Sequence, residues 1–340
     1  MSSTKFVHGD YTLGWVCALP KEQTAATAML DVEHPDLHRE PQRGHRLPAK
    51  GKYGTNSAAT VSARMLDTFP SIKFGLMVGI GGGIPPKVRL GDVVVSTPID
   101  QYPGFVQWDF GKAEKGGQFE RKGALNNPPT VLLTALAKLE TAREMKRSQI
   151  PKYLDELATK WPDLVPKCIK SDSLKDPLLS ATVLPDDQVG WPALLSMIWA
   201  AILSIFKFFL AWHVFAPQRP VAENRAVDGG QESPRDMQVH YGLIASGNQV
   251  VKDAVLRDNI NRQLGGNVLC LEIEVAGLAN EFPCLVIRGI CDYADSGKSK
   301  EWQEHAAAVA AAFAKELLSA VPAQEVSQMC NVKSKLEPAL

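Results

Sequence analysis

Residues 283–295, with the sequence PCLVIRGICDYAD, constrain the fold of this chain more than any other stretch. The first of them are apolar and partly β-branched, which is typical of a strand that is buried on both faces of a parallel sheet. The run stops at Arg288, and Asp292 and Asp295 follow within eight residues. In open α/β sheets ligands bind beyond the carboxyl ends of the strands, so this stretch predicts chemistry at a strand end. The alternative is a solvated loop, because loops rich in Asp are common.

Composition limits the kind of protein without naming a function. The 340 residues are enough for one large α/β domain or two small ones. With 37 basic and 37 acidic residues, the net charge of zero gives no reason to expect nucleic acid or an anionic membrane surface as a partner. The six cysteines include no CxxC pair, which argues for a reducing compartment and against structural zinc. The amino terminus does not resemble a secretory signal, so we expect a cytoplasmic protein.

The first part of the chain predicts a strand over residues 12–19 and then a helix. Pro20 favours the first turn of that helix and therefore places Glu22 in the same turn. Such a glutamate can simply complement the helix dipole, an effect of about 0.3–1 kcal/mol. Residues 55–69 predict a second helix, capped by Thr55 or Asn56.

Next comes a buried strand over residues 74–78 that leads into a glycine cluster containing Gly81 and Gly82. Without Cβ atoms, such residues let backbone amides approach a ligand oxygen, although a tight turn is the alternative. The cluster is not a dinucleotide-binding fingerprint, because prolines follow where a helix should begin. The loop that extends to Arg121 contains Tyr102, Phe105 and Trp108, which either cover a nucleobase or pack the loop itself.

Two carboxylates stand at the end of another predicted strand, residues 269–271. Glu272 and Glu274 are two residues apart, so on an extended chain their side chains point to the same face. Residues 301–321 then predict an Ala-rich closing helix, in which His305 is interpreted as structural.

Residues 191–215 form an apolar run that is interrupted only by Lys207 and His213. Its length would cross a hydrocarbon layer of about 30 Å. A single crossing, however, would put Glu22 and Asp292 on opposite sides of the membrane, although both belong to one predicted domain. A peripheral or self-associating helix, or a non-native stretch of sequence, is therefore favoured over a true span.

A family resemblance rests on RGICDYAD together with CLEIEVAGL, residues 270–278. Both resemble the signature of the purine nucleoside phosphorylase and nucleosidase superfamily, especially the fungal nucleoside phosphorylase-like domains of multidomain immune-type receptors. The resemblance continues in order through YTLGWVCALPKEQTA, YGTNSAATVSARM, FGLMVGIGGGIPPKVRLGDVVVSTP, VHYGLIASGNQV and EWQEHAAAVAAAFAKEL. It implies an α/β, three-layer nucleoside phosphorylase-like fold with a mixed, mostly parallel central sheet flanked by helices.

The same resemblance implies the domain boundaries. Residues 1–10 and 323–340 are expected to be tails around a domain of residues 11–322, with residues 186–236 as an apolar and polar insert. Relatives carry a β-hairpin where this chain has the polar residues 31–52, of which only the ends resemble theirs.

The resemblance also assigns roles to single residues. Asp292 would protonate or hydrogen-bond N7 of the base, Glu22 would activate water, and Arg288 would orient a carboxylate or the water. Glu274 would bind the ribose hydroxyls with support from Glu272. The remaining expected substrate contacts are Ile273 at the usual methionine wall, Gly81 and Gly82 on the ribose or anion side, and Val250 and Val251 beside the base.

Together these observations predict a purine nucleoside or nucleotide N-ribosyl hydrolase that acts on an adenine-type substrate, adenosine or ATP for example. The resemblance implies no metal or organic cofactor, and a homo-oligomer as the assembly. Two alternatives stay open. A phosphorylase is disfavoured because no arginine lies between residues 19 and 30, and because Ile80 stands where many relatives carry Ser or Thr. A non-catalytic nucleoside-sensing module is the other.

Overall fold

The computed structural model describes residues 6–34, 51–115, 119–171, 173–180 and 237–336. The chain divides into a unit of Met1–Asp176 with Met237–Leu340 and a unit of Pro177–Asp236. Residues 35–50 of the polar segment, the predicted insert 186–236 and its apolar run 191–215 all lie outside the described residues. Within the described ranges, no helix combines the length and the apolar character that a membrane crossing requires.

Strands of the first unit build one large sheet and a small hairpin. In chain order they are β1 (Leu13–Val16), β2 (Phe74–Gly83), β3 (Val93–Ser96), β4 (Phe105–Gln107), β5 (Gly111–Ala113), β6 (Phe119–Arg121), β7 (Val239–Ser246), β8 (Val268–Glu272) and β9 (Cys284–Asp292). β5 and β6 pair with each other, and the other seven form the sheet.

The large sheet is mixed and mostly parallel. β1 and β9 both pair with β2 in parallel, and β7 has β3, β4 and β8 as parallel neighbours. The pairs β2–β8 and β3–β9 are antiparallel. The order β2, β8, β7, β3, β9 therefore returns to β2, so five strands close on themselves. A closed ring leaves these strands without a free edge. The ends of β8 and β9 flank β2 on its two opposite edges, since Gly82 is paired with Leu271 of β8 and with Asp292 of β9.

Helices cover both faces of the sheet. They are α1 (Pro20–Ala28), α2 (Thr55–Thr68), α3 (Thr130–Met145), α4 (Ile150–Lys160), α5 (Val165–Cys168), α7 (Ala254–Gln263), α8 (Gln303–Ala320), α9 (Ala323–Gln328) and α10 (Val332–Leu336), with α6 (Pro177–Ser180) in the other unit. Alternation along the strands divides the core: Leu76 and Leu285 pack towards α1, α3, α4 and α8, whereas Met77 and Val286 pack towards α2. The predicted three-layer α/β fold is confirmed.

Several predicted boundaries were wrong. β9 does not stop before Arg288 but continues through it to Asp292, and β2 continues through the glycine cluster to Gly83. The loop that leads to Arg121 contains three short strands. At the start of α2 the capping residue is Gly54, whose φ of 93° suits glycine, and no side chain caps the helix.

Helix α8 packs closely against β9 at Gly289, so a side chain added there should destabilise the protein. A Cβ on Gly289 would overlap the backbone carbonyl of Ala306 in α8. We expect Gly289→Ala to lower the free energy of unfolding by about 1–3 kcal/mol or more, because neither backbone can move without repacking the core. Denaturant titration measures this change. Gly9→Ala is the control, since the nearest atom to its added Cβ is 3.8 Å away. Equal stability of the two variants would contradict the packing described here.

Candidate active site

Arg288 is the centre of the candidate site, and its side chain is completely buried within β9. Its guanidinium donates from Nη2 to Oε2 of Glu272 and, at 3.2 Å, to Oε2 of Glu274. Nη1 lies 4.0 Å from Oε1 of Glu22. Gly79, the β2 residue beside Arg288, has no room for a side chain, because a Cβ would overlap both Glu22 and the guanidinium. One cation therefore holds three carboxylates from two separate parts of the chain, the start of α1 and the end of β8.

Glu22 joins the first helix to the sheet. Its Oε2 accepts hydrogen bonds from the backbone amides of Ala18 at 2.8 Å and Leu19 at 2.9 Å, which closes the turn before α1. Its Oε1 accepts from the amide of Ile80 in β2 at 2.9 Å. Glu22 therefore does act as an acidic residue that stabilises the start of α1, but this role involves only its Oε2. The other oxygen points to β2 and to Arg288.

Glu272 and Glu274 are placed by the end of β8. Glu272 is the last strand residue, and its carboxylate accepts from the amides of Glu274 and Val275, each at 3.1 Å. These bonds turn the chain into the short 3-10 helix Val275–Gly277, so Glu274 reaches Arg288 from outside the strand. The prediction that both carboxylates share one face because the strand continues was wrong, although they do share the same partner.

The cluster carries more negative than positive charge. Burial is the main reason that the pKa of Glu274 is raised to about 8, and repulsion by Glu272 and Glu22 adds to it, while Arg288 opposes the rise. At neutral pH the buried site therefore favours a protonated Glu274. The same imbalance favours any cation that enters beside these carboxylates.

Asp292 is the last residue of β9 and is 3% exposed, rather than lying in a loop beyond the strand. Its Oδ1 accepts from the amide of Ala294 at 2.9 Å. Its Oδ2 lies 3.1 Å from Nζ of Lys298 and accepts from Sγ of Cys291 at 3.0 Å. Gly82 stands next to Asp292 in the β2–β9 ladder, and a Cβ there would come within 3.0 Å of Oδ1. Glycine at this position gives Asp292 and Ala294 the room to pack against β2.

The other predicted substrate contacts are distributed unevenly. Val251 is buried in an apolar cluster that also contains Ala294, two residues beyond Asp292, whereas Val250 is 43% exposed. Ile273 is half-buried between the two glutamates. Gly81 faces the thiol of Cys270, so a side chain there is excluded by sheet packing.

The loop aromatics differ in their suitability for covering a base. Phe105 is 1% exposed inside β4 and belongs to the core. Trp108 is half-buried and lies against Gly247, where an added Cβ would overlap its indole. Within the described ranges, no group of three His, Cys, Asp or Glu side chains is arranged to hold a metal ion.

Sequence reasoning missed two neighbours of Asp292, namely Cys291 and Lys298. Cys291 lies in the same strand motif, but its apolar environment suggested only packing. Lys298 is six residues beyond Asp292 in a loop rich in charged residues, and only the turn described below brings it back.

Comparisons with known proteins find related sequences along nearly the whole chain. No protein-family profile matches the chain. A nucleotide-binding leucine-rich repeat (NLR)-like protein of Hyaloscypha variabilis is 38% identical over 331 residues, which cover 93% of this chain. The chain spans only 30% of that protein's length. A 5′-methylthioadenosine/S-adenosylhomocysteine nucleosidase of Mycobacterium bovis is 24% identical over 329 residues, covering 92% of this chain and 97% of the enzyme.

Solved structures agree with the fold. A Streptococcus pneumoniae MTA/SAH nucleosidase matches 91% of this chain and 100% of its own, with a TM-score of 0.51 and 14% identity. A Helicobacter pylori 5′-methylthioadenosine nucleosidase variant matches 91% of this chain and 98% of its own, with a TM-score of 0.50 and 15% identity. The nucleoside phosphorylase-like fold and the resemblance to the phosphorylase and nucleosidase superfamily are confirmed.

The raised pKa of Glu274 predicts a pH dependence of stability. Between the ordinary value of 4.5 and the folded value of about 8, the folded protein keeps a proton that the unfolded chain has released. The contribution of Glu274 to stability is therefore full below pH 4.5 and falls as the pH rises to 8, by up to about 1.4 kcal/mol per pH unit.

Denaturant titration of wild type and Glu274→Gln across this range measures that contribution. We expect the free energy of unfolding of wild type, minus that of the variant, to fall steadily with pH. Glu281→Gln, at an exposed position, is the control and should show no such slope. A flat difference for Glu274→Gln would show that Glu274 is ionised throughout.

Proposed function

We propose that this chain is an N-ribosyl hydrolase that releases an adenine-type base from a purine nucleoside or nucleotide. The observation that carries the proposal is the convergence of Glu22 and Glu274 on Arg288, with Asp292 at the end of the same strand. The proposed reaction requires one carboxylate each for the water, the ribose and the base, and we assign these roles to Glu22, Glu274 and Asp292. The M. bovis enzyme and the two bacterial structures, which are named as nucleosidases, support the proposal.

Cleavage of the N-glycosidic bond develops positive charge on the sugar and negative charge on the departing base. Glu22 is the proposed general base that takes a proton from the attacking water. Its carboxylate cannot swing away, because three backbone amides hold it in place. Fixed placement of a general base lowers the entropic cost of reaching the transition state.

The carboxylate excess around Arg288 is the proposed source of transition-state stabilisation. Even with a proton on Glu274, the carboxylates of Glu22 and Glu272 outnumber the guanidinium of Arg288, so a developing oxocarbenium ion meets an environment of negative potential. Glu274 would hold the 2′- and 3′-hydroxyls, and that contact strengthens as the ring becomes cationic. Arg288 acts by positioning the carboxylates, because its side chain has no exposed surface.

Asp292 is the proposed acid at the base. It would donate a proton or a hydrogen bond to N7 while the C1′–N9 bond breaks and its electron pair moves into the purine. Gly82 leaves room beside β2 for the carboxylate of Asp292, and the apolar cluster with Val251 and Ala294 is the proposed surface for a flat ring.

The charges disfavour a phosphorylase. A phosphate anion at the position of the attacking water would lie among Glu22, Glu272 and Glu274. Among the described residues, the guanidinium in contact with these side chains, that of Arg288, already has Glu272 and Glu274 as partners. A small neutral nucleophile fits that environment better. A hydrolase with water as its nucleophile should release the base without added phosphate.

We expect wild-type protein in phosphate-free buffer to release adenine from at least one of adenosine, methylthioadenosine and ATP. The sugar product should be free ribose, or its 5′-substituted form, and not ribose 1-phosphate. Chromatography of both products measures this, and Glu22→Gln should lower the rate by roughly 10²-fold or more. Turnover that strictly requires phosphate would instead establish a phosphorylase.

A sensing module without turnover is a second candidate, favoured because the chain matches only 30% of a much longer NLR-like relative. Calorimetric binding of the same three compounds, with no product after prolonged incubation, would support this candidate. Substrate choice among the three is settled by the same panel.

The role of Asp292 gives a separate prediction. Asp292→Asn should keep nucleoside affinity, because an amide can still hydrogen-bond N7, but should lower turnover by roughly 10²- to 10⁴-fold because it cannot transfer a proton. Asp295→Asn is the matched control, since Asp295 accepts from the amide of Gly297 at 3.0 Å and serves the loop. Comparable losses in the two variants would remove Asp292 from the mechanism.

A further inference from the structure

A buried acid must regain its proton after every turnover, and Asp292 has almost no contact with solvent of its own. It is 3% exposed, and its carboxylate is surrounded by three described partners. Ala294 contributes a backbone amide, Cys291 a thiol, and Lys298 an ammonium group. One of these must connect Asp292 to water if the proposed hydrolysis is to repeat.

Two of the three partners are unsuited to this task. The amide of Ala294 does not give up a proton under ordinary conditions. Cys291 is 2% exposed, and burial, with the neighbouring Asp292 carboxylate as a further cause, raises the pKa of its thiol well above the usual value. Its proton is therefore held firmly and has no direct route from water.

Lys298 has both a proton that it can donate and contact with solvent, from which it can regain that proton. Its Nζ lies 3.1 Å from Oδ2 of Asp292, and its side chain is 23% exposed, so Lys298 contacts both the carboxylate and the solvent. A short turn fixes this arrangement, since the amide of Gly297 donates to Oδ1 of Asp295 at 3.0 Å. Upstream, Arg257 donates to the carbonyl oxygen of Tyr293 at 2.8 Å and anchors the start of the loop.

We propose that Lys298 supplies the proton that Asp292 delivers to the departing purine, a role that rests on the proposed hydrolysis. A proton passes from Nζ of Lys298 to Asp292, and from Asp292 to N7, while the C1′–N9 electron pair moves into the base. Water adds to C1′, and Glu22 takes its proton. The base leaves as a neutral molecule, Glu22 releases its proton to solvent, and the Lys298 amine regains one from solvent.

The chemistry of the two end groups suits this transfer. An alkylammonium group and the N–H of a free purine are both weak acids, so a proton can pass from the first to the departing base without a strong driving force on either side. Asp292 acts as the relay between them. Lys298 acts through Asp292 and is a positioning and proton-supplying residue, not one that touches the substrate.

Substitution of Lys298 by arginine distinguishes the supply of a proton from the presence of a positive charge beside Asp292. Lys298→Arg keeps a positive charge beside Asp292, but a guanidinium stays protonated and cannot donate. Lys298→Met removes both properties. We expect both variants to lower kcat for adenine release by roughly 10²-fold while KM stays within about threefold. Lys300→Arg, at an exposed position two residues along the same loop, is the control and should match wild type.

Chemical rescue provides the second arm. Lys298→Ala should regain a substantial part of its activity when a small primary amine is added, whereas a quaternary amine of similar size should have no effect. Adenine binding by calorimetry verifies that each variant retains a folded site.

The outcomes separate this proposal from the proposed function. If Lys298→Arg turns over like wild type, or if the primary amine does not rescue Lys298→Ala, Lys298 is at most a charge partner and the proposal is overturned. If wild type itself releases no base from any compound in the panel, the proposed hydrolysis fails and the role of Lys298 fails with it.

Discussion

The buried contact between Arg288 and its three carboxylates is the interaction on which the site depends. A guanidinium without exposed surface needs partners, and removal of one partner of a buried ion pair typically costs about 3–5 kcal/mol. Two of the partners also fix elements of the fold. Glu22 joins the first helix to β2, and Glu272 turns the chain at the end of β8. The same contact therefore organises both the fold and the chemistry.

The cluster contains more acidic groups than basic ones, and this excess bears on the proposed reaction. A structural ion pair needs equal charges, whereas here one cation faces three acids, and burial leaves Glu274 with a raised pKa. In the resting protein a proton on Glu274 relieves the imbalance. A ribose ring that becomes cationic would relieve it in the transition state, which links the electrostatics of the resting protein to the proposed reaction.

The sequence was informative where chemistry and hydrophobic pattern coincide. It predicted the layers of the fold. The resemblance singled out Glu22, Glu272, Glu274 and Arg288 one by one, and their convergence on Arg288 is seen only in the structure. The sequence could not predict that β9 runs through Arg288, because a charged residue normally ends a buried strand unless distant partners neutralise it. The glycines after residue 78 suggested a turn, because the sequence does not show which side chains pack against them. In the structure Gly79 and Gly82 make room for side chains of β9 and α1. The position of Lys298 depends on a turn that leaves no pattern.

The central claim is that excess negative charge in this site stabilises a cationic sugar. The most direct measurement compares the Kd of an adenine-bearing iminoribitol, which is cationic at neutral pH, with that of its neutral carbocyclic counterpart. The account predicts that wild type binds the cationic compound at least about 10²-fold more tightly, and that Glu274→Gln reduces this preference. Equal affinities for the two compounds in wild type would contradict it.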